Sequence, residues 1–462
     1  MVLILVMMTL LCLLSSNFFS KNLGTSVLSC GIVMVGVFIQ FFSLCGLFFY
    51  SQCWKMLGEW FLIDGLSGLM TVMTVMVAGM SIVCSDKDLS LKVGWIKIGF
   101  ELCIYLIMLI CVLSFNVSSW IEFYFFFESS LLPTFWLILG WGYQPERLQA
   151  GVFMLMYTVC GSFPLLIVLL WYYLEVGSDC FCVSSLVINL QNFLGSSLVS
   201  VSWVLLMMGF FIKLPIYFFH GWLPKAHVEA PLSGSMILAG VLLKLGGYGI
   251  IRMMMIFGST LWFVNMVIVS VAIVGGLLCS MLCLVQSDVK ALIAYSSIGH
   301  MGMSLGGMMS SLKSGVESGI WMMFSHGLCS PCLFCLAAVS YAVCNSRSVM
   351  ISKGFLMIFP FLSIFWFVFS SLNMGCPPSV NFLSEVILVS SILSMSKTYM
   401  FILGMLSFVG GVYCMNLYTM VNHGLSSLFL ISKASIGERH MVVMVLCSLV
   451  LCLGVLIFDL VL

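Results

Sequence analysis

Six ionisable side chains stand inside stretches of sequence that are otherwise apolar, and these residues are the best suited to chemistry: Glu128, Lys213, Lys244, His300, His326 and Glu385. A charge at the centre of a bilayer costs about 2.5–3.5 kcal/mol on insertion scales, and residues placed there mark routes for ions or protons. A lysine removed from water gives up its proton more readily, and a nearby carboxylate restores its hold. Histidine exchanges protons near neutral pH. The set therefore indicates proton transfer inside a membrane.

The composition supports lipid as the solvent of this chain. Of its 462 residues, 62% are hydrophobic and 7% are charged, and the mean hydropathy is +1.22. A soluble domain carries about 25% charged residues. Seventeen Lys and Arg against sixteen Asp and Glu give a net charge of +1, which excludes a basic nucleic-acid surface and an acidic tail. No linker or composition boundary divides the chain, so residues 1–462 are predicted to form a single transmembrane domain.

Hydrophobic stretches of membrane length predict an all-α polytopic membrane protein with about fourteen transmembrane helices. The predicted spans lie near 2–20, 26–50, 60–83, 94–115, 117–140, 150–174, 198–220, 232–256, 261–284, 289–310, 317–343, 354–394, 398–420 and 441–461. The twelfth stretch is too long for one helix and contains Cys376-Pro377-Pro378, so we interpret it as one discontinuous span. Pro215 predicts a second break, in the seventh span.

The two broken spans are five apart, which favours two five-helix repeats covering spans 4–8 and 9–13. Transporters built from inverted repeats place discontinuous helices at corresponding positions, beside the conduction site. Lys244, Glu128 and His300 all lie near the middle of their predicted spans. We therefore expect a polar axis near the bilayer midplane. Ser296 and Ser304, one turn before and after His300, would give its helix a polar stripe.

The positive-inside rule supplies an orientation. Lys and Arg of the odd-numbered predicted loops are Lys21, Lys87, Lys92, Lys97, Arg147, Lys225, Lys290, Arg347, Lys353, Lys433 and Arg439, whereas the even-numbered loops hold Lys55, Arg252, Lys313 and Lys397. The excess predicts that both termini lie on the outer face of the membrane and that the odd loops face the matrix or cytoplasm.

Each candidate also has a purely structural interpretation. A lone histidine is often a hydrogen-bonded packing residue, Lys213 could extend to the interface from a span end, and Lys244 could form a static salt bridge. Cys329, Cys332 and Cys335 form a CxxCxxC run that superficially resembles an iron–sulfur ligand string. The run lies in an apolar helix and lacks a fourth cysteine followed by proline, so packing residues are the better interpretation. No metal site is predicted.

Four stretches of sequence carry a resemblance to a known family. They are FFFESSLLPTFWLILGWGYQPERLQAG (125–151), IKLPIYFFHGWLPKAHVEAPLSGSMILAGVLLKLGGYGIIRM (212–253), DVKALIAYSSIGHMGM (288–303) and PPSVNFLSE (377–385). Together they closely resemble the subunit 4 family of mitochondrial NADH–ubiquinone oxidoreductase, respiratory complex I, and the resemblance extends over roughly residues 60–420.

The resemblance implies an antiporter-like subunit with fourteen helices, two inverted five-helix repeats and a core at about 94–420. It implies a proton translocation path in which each of the six candidates has a role: Glu128 as the fifth-span glutamate, Lys213 as the lysine that it pairs with, Lys244 as the central eighth-span lysine, His300 and His326 as the onward path, and Glu385 as the exit carboxylate. The related subunits 2 and 5 usually carry lysine at the last position, so Glu385 favours subunit 4.

By the same resemblance, the chain is expected in the mitochondrial inner membrane, with its termini on the intermembrane-space side. Its partners would be other membrane-arm subunits, including subunits 2 and 5, and lipids, with no nucleic acid. FMN, iron–sulfur clusters and ubiquinone would be bound by other subunits, and this chain would hold no cofactor. Two alternatives remain open at this point: a subunit of a bacterial multi-subunit sodium–proton antiporter, and a structural membrane spacer whose charges form static ion pairs.

Overall fold

The computed structural model describes residues 55–57, 60–90, 94–181, 196–257, 262–425 and 437–461. Within these ranges the chain is almost entirely helical. A short antiparallel hairpin precedes the helices and pairs β1 (Lys55–Leu57) with β2 (Phe61–Ile63), Met56 opposite Leu62. The first two predicted spans lie outside the described residues, so the total of fourteen spans stays a prediction.

The helices follow one another with short connections. They are α1 (Gly65–Ser90), α2 (Gly94–Asn116), α3 (Trp120–Ser129), α4 (Leu131–Trp141), α5 (Arg147–Val176), α6 (Ser196–Lys213), α7 (Trp222–Glu229), α8 (Leu232–Ile237), α9 (Leu243–Phe257), α10 (Trp262–Val285), α11 (Val289–Met309), α12 (Lys313–Cys344), α13 (Phe355–Ile358), α14 (Pro360–Met374), α15 (Val380–Met395), α16 (Tyr399–Asn422) and α17 (Glu438–Val461). A π-helical turn, Leu238–Leu242, joins α8 to α9.

The predicted all-α membrane class is confirmed. In the described part of the chain, nine helical stretches are long and apolar enough to cross a bilayer, and α6, α14 and α15 are shorter apolar helices. Every predicted span from the third onward coincides with one helix or with two or three consecutive helices. The third begins at Gly65 rather than near residue 60, because Phe61–Ile63 pairs with Lys55–Leu57 as a strand.

The predicted break in the seventh span is present. Helix α6 ends at Lys213, because Pro215 has no N–H and disfavours helical geometry in the residue before it. Phe218 then adopts a positive φ of 80°. The Trp222 indole N–H donates to the Ile212 carbonyl at 3.0 Å, which gives a partner to a backbone group near the interrupted helix end.

The predicted break in the twelfth span is also present. Helix α14 ends at Gly375, whose φ of 78° is a left-handed conformation that favours glycine. Cys376-Pro377-Pro378 cannot continue the helix, and Ser379 then caps α15 by accepting from the Phe382 N–H at 3.2 Å. The Asn381 amide donates to the Leu372 carbonyl at 2.8 Å. Both interruptions therefore have their exposed backbone groups hydrogen-bonded, as non-helical backbone at membrane depth requires.

The assignment of Arg252 to a loop is wrong. Arg252 belongs to the eighth span, in α9, where it is fully buried, and not to a solvent-facing loop. Its guanidinium binds both carboxylate oxygens of Asp64 at 2.6 and 2.7 Å, and its Nε donates to the Tyr248 hydroxyl at 2.8 Å. Tyr248 in turn donates to the Phe115 carbonyl. This network fastens α9 to the start of α1 and the end of α2, and a buried guanidinium is stable there because its charge is matched.

Asp64 also caps the start of α1. Its Oδ1 accepts from the Ser67 N–H at 3.1 Å, and the Ser67 hydroxyl accepts from the Asp64 N–H at 3.0 Å. Such reciprocal bonds satisfy backbone donors that a helix start leaves open. Asp64 therefore has two structural roles, as the partner of Arg252 and as the cap of α1.

Large apolar side chains cover the outside of the helices. Leu174, Phe263 and Met357 are each 80% exposed, on α5, α10 and α13. Fully exposed aliphatic and aromatic residues on many helices are unfavourable in water but suit contact with lipid. The polar residues described below lie on the inward faces of the same bundle.

Candidate functional site

Lys244 lies at the centre of the site. It is fully buried on α9, two residues after the π-helical turn ends. Its ammonium donates to the Ala239 carbonyl within that turn and lies 3.0 Å from Nδ1 of His326. A π-helical turn changes the register of backbone hydrogen bonds and often marks a functional position. Here it brings a backbone carbonyl within reach of the lysine five residues later.

The salt-bridge interpretation of Lys244 is not observed. The ion pairs formed by the described residues do not include it. Its two partners are a carbonyl and an imidazole nitrogen, both of which are uncharged acceptors. A lysine surrounded by neutral groups, away from water, has little to hold its proton. The surroundings thus suit a group that releases and regains a proton.

His326, on α12, lies between Lys244 and the next histidine. Its Nδ1 faces Lys244, and the Ser330 hydroxyl lies 3.4 Å from the same nitrogen. Nε2 is buried without a hydrogen-bond partner among the described residues. When Lys244 is charged, Nδ1 must accept, so Nε2 carries the ring proton. The free N–H is then directed away from the lysine and is available for onward transfer.

His300, on α11, continues the row. Its ring centroid is 5.8 Å from that of His326. Nδ1 lies 3.3 Å from Oε1 of Glu385, a distance that permits an ion pair although the two atoms are not aligned as a hydrogen bond. On the other side, Nε2 lies 3.3 Å from the Tyr413 hydroxyl. Each ring nitrogen therefore faces a group with which it can exchange a proton.

Glu385, on α15, closes the row beside the interruption of the twelfth span. Its Oε2 lies 2.6 Å from the position that a Cβ would occupy at Gly375. The carboxylate is thus seated against the glycine that ends α14. A small cleft adjoins the group and is lined by His300, Glu385, Asn373 and Tyr413, among others. The carboxylate, with 17% of its side chain exposed, is the member of the row with a route outward.

Lys213 is buried at the end of α6, so it does not extend to the interface. Its ammonium donates to the Phe127 carbonyl at 2.5 Å, lies 3.5 Å from the Ser130 hydroxyl, and sits 3.3 Å from the centre of the Phe127 ring. The carbonyl and the ring face supply partial negative charge to the cation. The break at Pro215 therefore places a charged side chain against the end of α3.

Glu128, on α3, lies between the two residues that Lys213 contacts, but the two form no direct ion pair. Among the described residues, the ion pairs do not include Glu128, and its Oε1 is buried without a hydrogen-bond partner. The expected glutamate–lysine pair is therefore not formed as a direct contact in the structure.

The six predicted residues thus fall into two groups. Lys244, His326, His300 and Glu385 form one connected row across α9, α12, α11 and α15. Glu128 and Lys213 form a separate pair, where α3 meets α6. The serines beside His300 donate within their own helix, Ser296 to Ile293 and Ser304 to Met301, both at 2.8 Å. Their oxygens can still accept a hydrogen bond.

Sequence reasoning missed Tyr413 and Gly375. Tyr413 is a buried tyrosine in a long apolar helix, and only its packing against His300 distinguishes it from other core aromatics. Gly375 directly precedes Cys376-Pro377-Pro378, so the sequence predicted a helix break next to it. Its contact with Glu385 could be found only in the structure.

A second polar cluster lies where α7 ends. Glu229 and Arg347 form a buried ion pair at 3.2 Å, and Lys290 donates to the Ala230 carbonyl at 3.1 Å. His227 is fully buried nearby in the chain, stacked on Phe334 with ring centroids 4.8 Å apart, and its two ring nitrogens have no hydrogen-bond partner among the described residues. Lys290 and Arg347 were expected in loops, yet Lys290 is buried and the Arg347 side chain is only 13% exposed.

The row of four can carry a proton in single steps. Neighbouring members alternate as donor and acceptor, and each can return to its starting state after transfer. The gap between the two histidine rings is too long for direct exchange at this separation, since a hydrogen bond needs about 3 Å between heavy atoms. One water or a ring rotation is enough to span it. The chemistry that this arrangement suits is proton relay.

Comparisons with known proteins agree with the geometry. Residues 117–410 match the family described as NADH:quinone oxidoreductase/Mrp antiporter, transmembrane region. The chain is 42% identical over 375 residues to NADH-ubiquinone oxidoreductase chain 4 of Lumbricus terrestris, covering 81% of this chain and 82% of that protein. It is 40% identical over 408 residues to chain 4 of Locusta migratoria, covering 87% and 89%.

The fold itself is also known. A chain of the respiratory complex I from Thermus thermophilus with bound NADH superposes with a TM-score of 0.82 and 18% identity, covering 99% of this chain and 98% of that one. At this identity the likeness concerns the fold. Together with the relatives above, these matches establish that the chain belongs to the NADH:quinone oxidoreductase/Mrp antiporter family and, within it, to the NADH-ubiquinone oxidoreductase chain 4 proteins.

Proposed function

We propose that this chain is a core membrane-arm subunit of NADH:ubiquinone oxidoreductase and that it moves protons across the inner mitochondrial membrane. The observation that carries the proposal is the buried row from Lys244 through His326 and His300 to Glu385. Ionisable groups inside apolar helices are costly, and residues placed there mark routes for ions or protons. The chain matches chain 4 proteins over most of its length, which supports its place as a subunit of that oxidoreductase.

The proton would travel outward along the row. Lys244 releases a proton to Nδ1 of His326, and the ring proton on Nε2 passes to His300. His300 delivers a proton to Glu385, which borders the cleft. The direction, from matrix to intermembrane space, rests on the family resemblance, and so does the placement of both termini on the intermembrane-space side.

Glu128 and Lys213 would act as the switch that feeds this row. In the structure Lys213 is held by the Phe127 carbonyl, while Oε1 of Glu128 lacks a hydrogen-bond partner. Moving the ammonium onto the carboxylate would exchange one set of favourable contacts for another, so both positions are accessible. A change in the position of this charge alters how firmly Lys244 holds its proton.

The energy for pumping would come from NADH oxidation in other subunits. FMN, iron–sulfur clusters and ubiquinone are placed there, and this chain contributes no redox centre to the reaction. Its protein partners would be the remaining membrane-arm subunits, the sister subunits 2 and 5 among them. Lipid would contact the exposed apolar side chains of α5, α10 and α13.

Lys244→Ala tests the proposal in the assembled complex. The substitution removes the amine that donates to His326, so the ratio of protons moved to electrons transferred should fall, while reduction of the clusters by NADH is unchanged. The ratio is measured in sealed vesicles from dye-reported acidification and quinone reduction. Lys313→Ala is the matched control, because Lys313 is 75% exposed and forms a surface pair with Glu317.

An unchanged ratio in Lys244→Ala would show that the path is wrongly placed. The sodium–proton antiporter alternative has its own outcome: transport by purified chain would depend on Na⁺ and proceed without NADH oxidation. The relatives that match most of the chain are named as chain 4 proteins, which favours the oxidoreductase.

A further inference from the structure

Three helices that lie far apart in the sequence bring two thiols and an imidazole together. Cys84 lies on α1, Cys335 on α12 and His440 at the start of α17. The two sulfur atoms are 3.6 Å apart, and Sγ of Cys335 is 3.4 Å from Nδ1 of His440. All three ligand atoms lie within 4.8 Å of one another. We call Cys84, Cys335 and His440 the Cys₂His cluster.

These separations match the edges of a zinc coordination tetrahedron. Zinc binds cysteine sulfur at about 2.3 Å and histidine nitrogen at about 2.0–2.1 Å. At a tetrahedral angle, two such sulfurs are about 3.8 Å apart, and a sulfur and a nitrogen about 3.6 Å apart. The observed 3.6 and 3.4 Å each differ by roughly 0.2 Å, the tolerance expected of a metal site. The third edge, between Sγ of Cys84 and the ligand nitrogen of His440, is within 4.8 Å.

Charge and burial also favour a divalent, thiophilic ion. Cys84 and Cys335 are buried, at 2% and 0% exposure, and His440 is half-buried. Two thiolates and a neutral imidazole around Zn²⁺ carry no net charge, so the low-dielectric surroundings impose little penalty. A monovalent ion would leave one negative charge unmatched. The half-buried histidine gives the ion a way in and leaves room for water as fourth ligand.

We propose that the Cys₂His cluster binds one Zn²⁺ ion and clamps α1, α12 and α17 together. On binding, each thiol loses a proton to solvent and each sulfur donates an electron pair to the metal, with no change of oxidation state. Cys335 lies nine residues after His326 on α12, which is about 14 Å along the helix axis. The clamp would therefore hold the helix that carries the central histidine of the proton row.

The other cysteines of the CxxCxxC run do not join the cluster. Cys329 donates to the Phe369 carbonyl at 3.7 Å, and among the described residues the potential metal ligands grouped with Cys335 are Cys84 and His440 alone. Helical spacing turns successive members of the run toward different neighbours. The site could not be predicted from the sequence, because the CxxCxxC run supplies only one of the ligands, Cys335. The other two, Cys84 and His440, lie on two other helices.

The first test uses the purified complex and Zn²⁺ alone. The complex is dialysed against micromolar free Zn²⁺, and bound zinc per complex is counted by elemental mass spectrometry. We expect one more tightly held zinc ion in the native complex than in the Cys335→Ser complex, and no loss in Cys344→Ser, which changes a buried cysteine at the end of the same helix. Equal zinc content in the native and Cys335→Ser complexes would overturn the proposal, as would a disulfide between Cys84 and Cys335 in the isolated complex.

The second test compares substituted complexes. Cys335→Ser and His440→Gln should each weaken Zn²⁺ affinity by more than about 100-fold, since losing even an outer-shell partner commonly costs 10- to 100-fold. Cys344→Ser should leave affinity unchanged. X-ray absorption at the zinc edge should show two sulfur ligands at about 2.3 Å in the native complex. Zinc with only nitrogen and oxygen ligands, or equal affinity in all three variants, would overturn it. Zinc binding is measured independently of proton pumping. The zinc-site proposal and the proposed function can therefore each fail while the other stands.

Discussion

Gly375→Ala should displace the exit carboxylate, Glu385, and so reduce proton translocation. A control substitution can show that this loss does not come from a less stable helix. A Cβ at Gly375 would lie 2.6 Å from Oε2 of Glu385. Contacts of Cβ atoms below 3.0 Å essentially never occur, so the carboxylate must move by at least 0.4 Å, the difference between these two distances. Glu385 now lies 3.3 Å from His300. The displacement should weaken this contact and slow delivery of the proton to the cleft.

The backbone strain that Gly375→Ala introduces can be reproduced in a control variant at Gly177. Gly375 has a φ of 78°, and an alanine in this left-handed region costs roughly 1–2 kcal/mol. Gly177 ends α5 with a φ of 72°, and a Cβ there would have no neighbour within 4 Å. Gly177→Ala therefore carries a similar backbone strain without touching an ionisable group. The two variants should lose similar thermal stability.

The assay is proton translocation per electron in sealed vesicles, with Glu385→Gln as the reference for a lost exit group. We expect a reduced ratio in Gly375→Ala, a larger reduction in Glu385→Gln, and an unchanged ratio in Gly177→Ala. If Gly177→Ala reduced the ratio as much as Gly375→Ala, backbone strain would explain both. If Glu385→Gln alone reduced it, the contact with Gly375 would have no part in positioning the carboxylate.

Two further predictions concern single contacts. Arg252→Met should destabilise the chain by about 3 kcal/mol, because it leaves Asp64 without the cation that it binds. Thermal unfolding in detergent measures this loss of stability. Adding Asp64→Leu to the same chain should restore part of the lost stability. Tyr413→Phe removes the hydroxyl beside Nε2 of His300 and about 1 kcal/mol of hydrogen bonding. Tyr413→Phe should lower the coupled turnover less than Glu385→Gln does. Tyr418→Phe, on the same helix, should have no effect, because the Tyr418 ring packs against Phe367. Equal turnover in Tyr413→Phe and Tyr418→Phe would contradict the role of Tyr413.

Much of the architecture was predictable because its causes are local. Pro215 removes a backbone donor wherever it stands, so the end of α6 at Lys213 could be foreseen. Cys376-Pro377-Pro378 stops α14 for the same reason. Arg252 was misplaced because hydropathy counts a guanidinium as a solvent-facing group, and its carboxylate partner stands 188 residues earlier.

What the sequence by itself determined, then, is the membrane class, the order of the spans, both interruptions and the six ionisable residues. These follow from hydropathy and from backbone chemistry, which act over a few neighbouring residues. The tertiary structure decided which side chains meet: Lys244 with His326 across 82 residues, and Cys84 with Cys335 across 251. Such contacts depend on how each helix is rotated against its neighbours, and that rotation is set by packing of the whole bundle.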